Sequence, residues 1–151
     1  MTGKSIDDIK YNLIKFMSLF HRLFTPTFKK EIDNKYSCTK NQVKAVMILG
    51  KTEKITPTML GKCMDMEKGS ITTLIDSMEN MNLVYRKNDL MDKRKTWIQL
   101  TKEGEEYYIK QEEKFISQIE ELFIILPEEE IDEFSRSLKT VVEILEKLRD
   151  D

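Results

Sequence analysis

Apolar residues recur at steps of three and four along most of this 151-residue chain, which is the period of one face of an α-helix. Five glycines and three prolines leave few positions at which a helix must break. The length and the 40% apolar fraction suit one domain with a single core. No apolar run approaches the roughly 18 residues of a membrane span, and no signal peptide is evident, so we expect a cytoplasmic protein.

The N-terminal segment is predicted to be a long helix. Ser5 is its expected N-cap, with Asp8 three residues later in a weak capping box. Pro26 interrupts the apolar pattern, so we expect a kink or a short break before residues 28–36. The apolar positions of this helix are Ile6, Ile9, Leu13, Phe16, Met17, Phe20, Leu23 and Phe24.

Three short helices with clear start signals are predicted next. Thr39 and Gln42 form a capping box for the first, which should end at Gly50, and Thr56-Pro57 starts the second. Asp65 or Glu67 is the expected cap of the third, which runs to about Met81. The apolar residues expected on their inner faces are Val43, Val46, Met47, Leu49, Met59, Leu60, Cys63, Ile71, Leu74, Ile75 and Met78.

The pattern then changes to β-rich. Residues 83–87 and 96–100 are rich in strand-forming residues, and residues 88–95 between them are polar and turn-prone. This arrangement predicts a β-hairpin with a long basic tip. After it, Thr101 is the expected cap of a helix that runs toward Leu126.

The last predicted helix starts at Pro127, with the acidic residues 128–130 at its positive end. Its apolar stripe has the 3.5-residue spacing of a helix-packing seam. A second copy of the chain is the economical cover for such a stripe, although packing on the helices at residues 6–24 and 102–126 is an alternative. The stripe consists of Ile131, Phe134, Leu138, Val141, Leu145 and Leu148.

Charge is distributed unevenly around a net value of −2. Residues 1–50 contain 9 basic and 4 acidic groups, residues 51–102 contain 10 and 7, and residues 103–151 contain 6 and 16. A basic first two thirds can face a polyanion while an acidic last third maintains solubility, although acidic helices are also common as plain solvated surfaces.

Three helices followed by a basic hairpin is the element order of a winged helix-turn-helix. At motif level, residues 39–104 resemble the MarR family of bacterial transcription regulators. The most specific matches lie in the hairpin, where Asp92-Lys93-Arg94 fits Asp-x-Arg and residues 100–104 fit Leu-Thr-x-x-Gly. Supporting matches lie at Thr39-x-x-Gln42, at Thr56-Pro57 and at residues 71–76. Asn82 departs from the glycine usual in the family, but asparagine tolerates positive φ.

The resemblance implies one MarR-like domain over residues 1–151, mainly α with a small β-hairpin wing. Residues 1–36 and 102–151 would form long dimerisation helices, and residues 37–101 the DNA-binding lobe. The expected function is a homodimeric, sequence-specific transcription regulator, usually an effector-responsive repressor, on a near-palindromic double-stranded DNA operator. The expected dimerisation residues are Ile6, Ile9, Leu13, Ile131, Phe134, Leu138, Val141, Leu145 and Leu148.

The expected DNA contacts lie on the third helix and on the wing. In this docking mode the start of the recognition helix meets base edges in the major groove. The resemblance places Arg94 in the minor groove, where Asp92 would orient its guanidinium. The other wing cations would contact phosphates. The recognition-helix candidates are Lys68, Gly69, Ser70, Thr72, Thr73 and Asp76, and the wing candidates are Arg86, Lys87, Asp92, Lys93, Arg94 and Lys95.

The remaining residues give weaker signals. Family members bind small aromatic or phenolic effectors, which makes Met17, Phe20, His21 and Met47 a pocket hypothesis, with ordinary core or surface roles as the alternative. No catalytic motif is present, and one histidine with two cysteines makes a catalytic or structural metal site unlikely, so neither an enzyme nor a cofactor is expected.

Two alternative functions remain open. The chain could be a winged-helix protein-interaction module without DNA binding, or a thiol-based redox regulator. Cys38 precedes a helix start, where a thiol pKa can fall, but peroxide-sensing family members place their reactive cysteine in the first long helix. The operator, the regulated genes, the effector and the choice between repression and activation are not encoded in any pattern we find.

Overall fold

The computed structural model describes residues 2–24, 31–32 and 36–149. The chain divides into two compact units, Met1–Phe115 and Ile116–Asp151, with the boundary inside a helix. The elements are α1 (Gly3–Phe24), β1 (Glu31–Ile32), β2 (Ser37–Cys38), α2 (Lys40–Lys51), α3 (Pro57–Met64), α4 (Lys68–Asn80), β3 (Val84–Asn88), β4 (Thr96–Leu100), α5 (Lys102–Phe123) and α6 (Glu128–Leu148).

The three central helices begin where the sequence predicts. The Thr39 hydroxyl accepts from the Gln42 backbone N–H at 3.2 Å, and the Gln42 side chain accepts from the Thr39 N–H at 2.8 Å, which completes the capping box. The Thr56 hydroxyl accepts from the Met59 N–H at 3.2 Å, with Pro57 at the first helical position. These contacts satisfy backbone donors that a helix start leaves unpaired.

Other helix boundaries differ from the expectation. Thr2, and not Ser5, caps α1, because its hydroxyl accepts from the Ser5 N–H at 3.2 Å. The helix α2 continues past Gly50 to Lys51. Asp65 ends α3 in the left-handed conformation with φ 52°, instead of starting α4.

The α4 helix also departs slightly from its prediction. Glu67 is its N-cap, but its side chain makes no capping hydrogen bond, and Met81 is the C-cap. Asn82 adopts φ 60°, the conformation for which the family pattern has glycine. The break expected at Pro26 lies outside the described residues, as does most of residues 28–36. The described part of that segment contains β1, which pairs antiparallel with β2.

The core of unit 1 lies between α2, α3, α4, the wing and the start of α5. All four residues expected on the inner face of α4 are buried, which confirms its orientation. Cys63 was expected inward but is exposed, and Met59 is 48% exposed. On the short helix α3 only Leu60 and Gly61 are buried. The largest fully buried side chains are Leu60, Ile71, Ile75, Met78, Leu83, Ile98, Val46 and Cys38.

The wing is an antiparallel hairpin in which Val84 pairs with Leu100 and Asn88 pairs with Thr96. Ile55 forms an additional bridge to Ile98, so the wing base is tied to the segment between α2 and α3. The Thr101 hydroxyl donates to the Asn82 carbonyl at 2.6 Å and accepts from the Gly104 N–H at 2.9 Å. The predicted cap at Thr101 therefore also fixes α5 to the end of α4.

The α1 and α6 helices have no buried residues. On α1, Ile9 is 58% exposed and Leu13 is 51% exposed. On α6, Leu145 is 55% exposed and Leu148 is 72% exposed, and only Ile131 of the predicted stripe is half-buried. Both apolar faces are therefore largely uncovered within a single chain.

Candidate nucleic-acid interface

The α4 helix presents a polar outer face at its N-terminal end. All six predicted recognition residues are exposed: Lys68, Gly69, Ser70, Thr72, Thr73 and Asp76. The Thr72 hydroxyl donates to the Lys68 carbonyl at 2.9 Å, and the Thr73 hydroxyl donates to the Gly69 carbonyl at 3.1 Å. Because each hydroxyl proton is used within the helix, the lone pairs of both oxygens face outward and suit donors such as base amino groups.

Arg86 of β3 connects the wing to α4. Its Nη2 donates to Asp76 at 2.7 Å, and its Nη1 donates to the Glu79 carboxylate. The guanidinium is about 30% exposed, and both of its forks are engaged by carboxylates one helical turn apart. The structure thus gives Arg86 an internal contact in place of the solvent-facing position that a phosphate contact needs.

Asp89 organises the wing tip. One carboxylate oxygen accepts from the backbone N–H groups of Met91 and Asp92 at 2.8 and 3.0 Å, and the other accepts from the Trp97 indole at 2.7 Å. These hydrogen bonds, led by the one from Trp97, stabilise the charged carboxylate and lower the pKa of Asp89 to about 2. The wing tip is therefore secured by hydrogen bonds from three donors.

Arg94 stands at the wing tip with its side chain 92% exposed. One oxygen of the Asp92 carboxylate accepts from both the backbone N–H of Arg94, at 3.0 Å, and its Nε, at 3.3 Å. The hydrogen bond expected between these two side chains is therefore present. Because Nε is the atom engaged, both terminal nitrogens stay available to an outside acceptor.

The wing lysines fall into two groups. Lys87 and Lys93 are exposed, with no contact in the described structure that competes for their charge. The Lys95 ammonium lies 4.9 Å from the Trp97 ring centroid, and that of Lys54 lies 4.5 Å from it. Such cation–π contacts place both charges beside the hairpin without neutralising them.

A cleft of about 680 Å³ lies among α3, the start of α4 and the wing. Lys62 and Lys68 contribute positive charge to its wall, and Arg86 reaches it from β3. The exposed polar face of α4 and the basic wing therefore flank one concave surface within unit 1. The other lining residues are Pro57, Thr58, Gly61, Asp65, Met66, Glu67, Ile71, Thr72, Ile75 and Thr96.

Several residues of this surface escaped the sequence analysis. Asp89 and Trp97 lie eight residues apart and meet only because the hairpin register brings them together. The Asn88-Asp89 turn signal was the available hint for Asp89, since aspartate often accepts from backbone two residues on. Nothing in the sequence indicates the Arg86–Glu79 contact, which joins two different elements.

The predicted effector residues do not share any of the cavities that are described for the ranges of the chain that the structure covers. Met17, Phe20 and His21 are exposed on α1, and Met47 packs partly against the core. None of the three cavities described for this chain is lined by these residues. The effector pocket stays a prediction from the family resemblance.

The two cysteines differ in their exposure, and only Cys38 lacks the accessible sulfur that a redox sensor needs. Cys38 has no exposed surface, and Cys63 is exposed on α3. Across the described ranges, no group of three or more His, Cys, Asp or Glu residues is arranged to hold a metal ion. Among the helices that the structure describes, none is both long and apolar enough to cross a membrane.

Comparison with known proteins gives a family match for this surface. The model of the MarR family matches residues 38–96, which span α2, α3, α4, β3 and the wing tip. This segment of the chain is similar to the MarR family. The matched segment contains the three central helices, β3 and the wing tip, which are most of the region on which the resemblance was based. A match to a family of regulators agrees with the expectation that the chain is not an enzyme.

One curated relative and two solved structures are also similar to this chain. The organic hydroperoxide resistance transcriptional regulator of Bacillus subtilis is 30% identical over 83 residues, which cover 55% of this chain and 56% of that relative. A MarR family protein from Bacillus stearothermophilus is 21% identical, with a TM-score of 0.76 over 96% of this chain and 98% of that one. FabT from Streptococcus pneumoniae, solved in complex with DNA, is 19% identical, with a TM-score of 0.75 over 95% of this chain and 99% of FabT. These structures confirm the winged helix-turn-helix fold.

Proposed function

We propose that this protein is a sequence-specific DNA-binding transcription regulator that acts as a homodimer. The observation that carries the proposal is the pairing, within the segment that matches the MarR family, of an exposed polar face on α4 with a wing arginine held at the tip by Asp92. The names of two relatives support it, since one is a transcriptional regulator and another was solved with DNA.

In the proposed complex the first turns of α4 enter the major groove. The Ser70, Thr72 and Thr73 hydroxyls would contact base edges or phosphates, and Gly69 would let the backbone approach closely, since a Cβ there meets no atom within 4 Å of this chain. Hydroxyls discriminate weakly among bases. Part of the sequence preference would therefore come from DNA shape.

The wing would lie against the adjacent minor groove. The terminal nitrogens of Arg94 suit the negative potential of a narrow groove, and Asp92 would limit the directions available to the guanidinium. Lys87 and Lys93 would contact phosphates and position the domain without selecting a sequence.

Dimerisation is proposed from the uncovered apolar faces of α1 and α6. A soluble chain seldom leaves stripes of this length exposed, and a two-fold dimer covers the same patch on both subunits. Two recognition helices related in this way would read half-sites about one DNA turn, roughly 34 Å, apart. The operator would then be nearly palindromic.

Other features of the regulator stay predictions from the resemblance. Repression, a small aromatic or phenolic effector and a cytoplasmic location follow from the class of protein proposed. A buried Cys38 gives the thiol-sensor alternative no accessible sulfur at that position.

Selection from a random duplex pool tests the proposal. The purified protein is expected to enrich a near-palindromic motif whose halves are about one helical turn apart. If the DNA bound after several rounds has the same sequence distribution as the starting pool, the proposed function is contradicted. That result would favour the protein-interaction alternative.

A further inference from the structure

The wing tip exposes two large apolar side chains next to its arginine. Leu90 is 91% exposed and Met91 is 95% exposed, the highest values among the exposed large hydrophobic residues that the structure describes. A single exposed leucine on a surface needs no explanation, but an adjacent pair at the apex of a hairpin is a distinct feature.

Although these two side chains are exposed, the backbone of the wing tip is held by hydrogen bonds. Asp89 holds the Met91 and Asp92 N–H groups, and the Asp89 N–H donates to the Lys95 carbonyl at 2.9 Å. The Lys95 N–H in turn donates to the Asp92 carbonyl at 3.0 Å. The tip is thus closed at its base by hydrogen bonds, while its two apolar side chains stay outside.

We propose that Leu90 and Met91 form an apolar wedge that packs against deoxyribose groups of the minor groove beside Arg94. The inference rests on the proposed function and adds a contact that a wing arginine alone does not supply. Sugars form the walls of the minor groove, and proteins that bind there often insert apolar side chains along with cations. Lys87, Lys93 and Arg94 are exposed, lie within four residues of the pair in the sequence, and carry the positive charge that a phosphate-lined groove attracts.

A DNA groove fits this tip better than a lipid surface. Membrane-bound helices bury a long apolar face, whereas the tip offers two side chains. The same tip contains the carboxylates of Asp89 and Asp92, and it is joined through Arg86 to the polar face of α4. A groove flanked by phosphates can accept the cations and the apolar pair together.

Apolar and ionic contacts can be separated by their salt dependence. Each phosphate contact releases counterions and adds to the slope of log affinity against log salt, whereas packing on a sugar releases none. The double variant Leu90→Ser, Met91→Ser should therefore weaken binding without changing that slope. The matched control is Met59→Ser, because this apolar side chain is 48% exposed, lies on α3 outside the wing, and is neither a predicted DNA contact nor part of the proposed dimer seam.

The experiment uses the duplex that the wild-type protein enriches from a random pool. We expect the wing double variant to bind it about tenfold more weakly, with an unchanged salt slope and melting temperature, while the control binds as wild type does. Hydroxyl-radical footprints, which report on deoxyribose exposure, should lose the protection of minor-groove sugars flanking the recognition helices. Equal affinity and equal footprints for the wing variant and wild type would overturn the wedge.

Two further outcomes are distinguishable. Failure of the wild-type protein to enrich any duplex would refute the proposed function and the wedge together. Binding to phosphatidylglycerol vesicles that the wing double variant loses, with unchanged DNA affinity, would assign the tip to a lipid surface and also overturn the wedge.

Discussion

Asp89 shows how one carboxylate can set the shape of a functional loop. Three donors converge on it, and together they keep its pKa near 2, below the ordinary value of 3.8. A group whose pKa is depressed by folding contributes stability above its unfolded pKa and loses that contribution as the pH falls through the folded value. The wing should therefore stay ordered at pH 4 and loosen only as the pH approaches 2.

Trp97 makes this testable, because it is the only tryptophan in the chain and donates directly to Asp89. We expect its fluorescence to be constant from pH 7 to pH 4 and to change with a midpoint near 2. Asp89→Asn should show altered emission at pH 7 and no such titration. Circular dichroism of the helices separates this local change from unfolding, and a midpoint at or above 3.8 with helices intact would contradict the assignment.

Gly104 is required by a close approach and not by an unusual φ. A Cβ on it would lie 2.0 Å from the Leu83 carbonyl oxygen, which is backbone and cannot rotate away. Gly104→Ala should lower the free energy of unfolding by about 2 kcal/mol or more, measured by urea denaturation.

Gly69→Ala is the matched control, because both glycines lie in the first turn of a helix. A Cβ at Gly69 meets no atom within 4 Å, so the free energy of unfolding should stay the same or rise by up to about 1 kcal/mol. Similar destabilisation by both substitutions would mean that helix propensity, and not the Leu83 contact, sets the requirement.

The link between β3 and α4 is the contact by which the wing and the recognition helix can act together. Arg86 bridges Asp76 and Glu79, so β3 and α4, which would face different grooves in the proposed complex, are joined by two ion pairs. Loss of the bridge would leave two carboxylates without their cation and would loosen the wing. Because the group is partly exposed, the effect on stability should be at most about 1 kcal/mol.

Arg86→Gln should weaken DNA binding several-fold while changing the salt slope little, since its charge is already neutralised within the protein. Arg86→Lys should not restore affinity, because one ammonium cannot reproduce a two-pronged guanidinium bridge. Lys87→Gln is the control, and it should lower the slope as the loss of a phosphate contact does. Full recovery in Arg86→Lys would argue for a plain phosphate contact.

Local signals in the sequence predict the central elements well. Thr39, Thr56 and Thr101 each mark a helix start through a hydrogen bond to the residue three positions on, and Asn82, with its positive φ, follows the end of α4. The apolar period also predicts which face of α4 is buried. Such features depend on nearby residues alone, so one sequence suffices to find them.

Contacts between elements were not predictable in the same way. The Arg86 bridge and the Asp89–Trp97 hydrogen bond depend on the hairpin register and on how β3 packs on α4. Cys63 was expected inside because it follows the apolar spacing of α3, but this helix is short and buries only Leu60 and Gly61. Tertiary packing determines which of these side chains are buried and which of them meet. The helical period of the sequence does not contain that information.

The proposed dimer rests on the apolar surface that a single chain leaves exposed. Leu138, in the middle of the α6 stripe, is 39% exposed, and its neighbours along the stripe are exposed further. Leu138→Lys would place a charge in the proposed dimer seam and should shift the protein toward monomers in sedimentation velocity at micromolar concentration. Thr140→Lys, a surface position of the same helix, is the control and should leave the dimer intact.

The salt dependence of dimerisation is a second test of the proposed dimer seam. Because the stripe is apolar, moderate salt should not dissociate the wild-type dimer, even though residues 103–151 are strongly acidic. Monomers in the wild-type protein at micromolar concentration would contradict the proposed dimer directly.

We expect α4 and the wing to bind DNA in a sequence-preferring way. Fluorescence anisotropy should be measured for wild type and Arg94→Ala with the enriched duplex and a scrambled one, over a series of salt concentrations. The expected result is a preference for the enriched duplex and a linear loss of log affinity with log salt, with Arg94→Ala about tenfold weaker, less steep and still folded. Equal affinity of wild type for both duplexes, or equal binding by Arg94→Ala and wild type at matched salt, would contradict it.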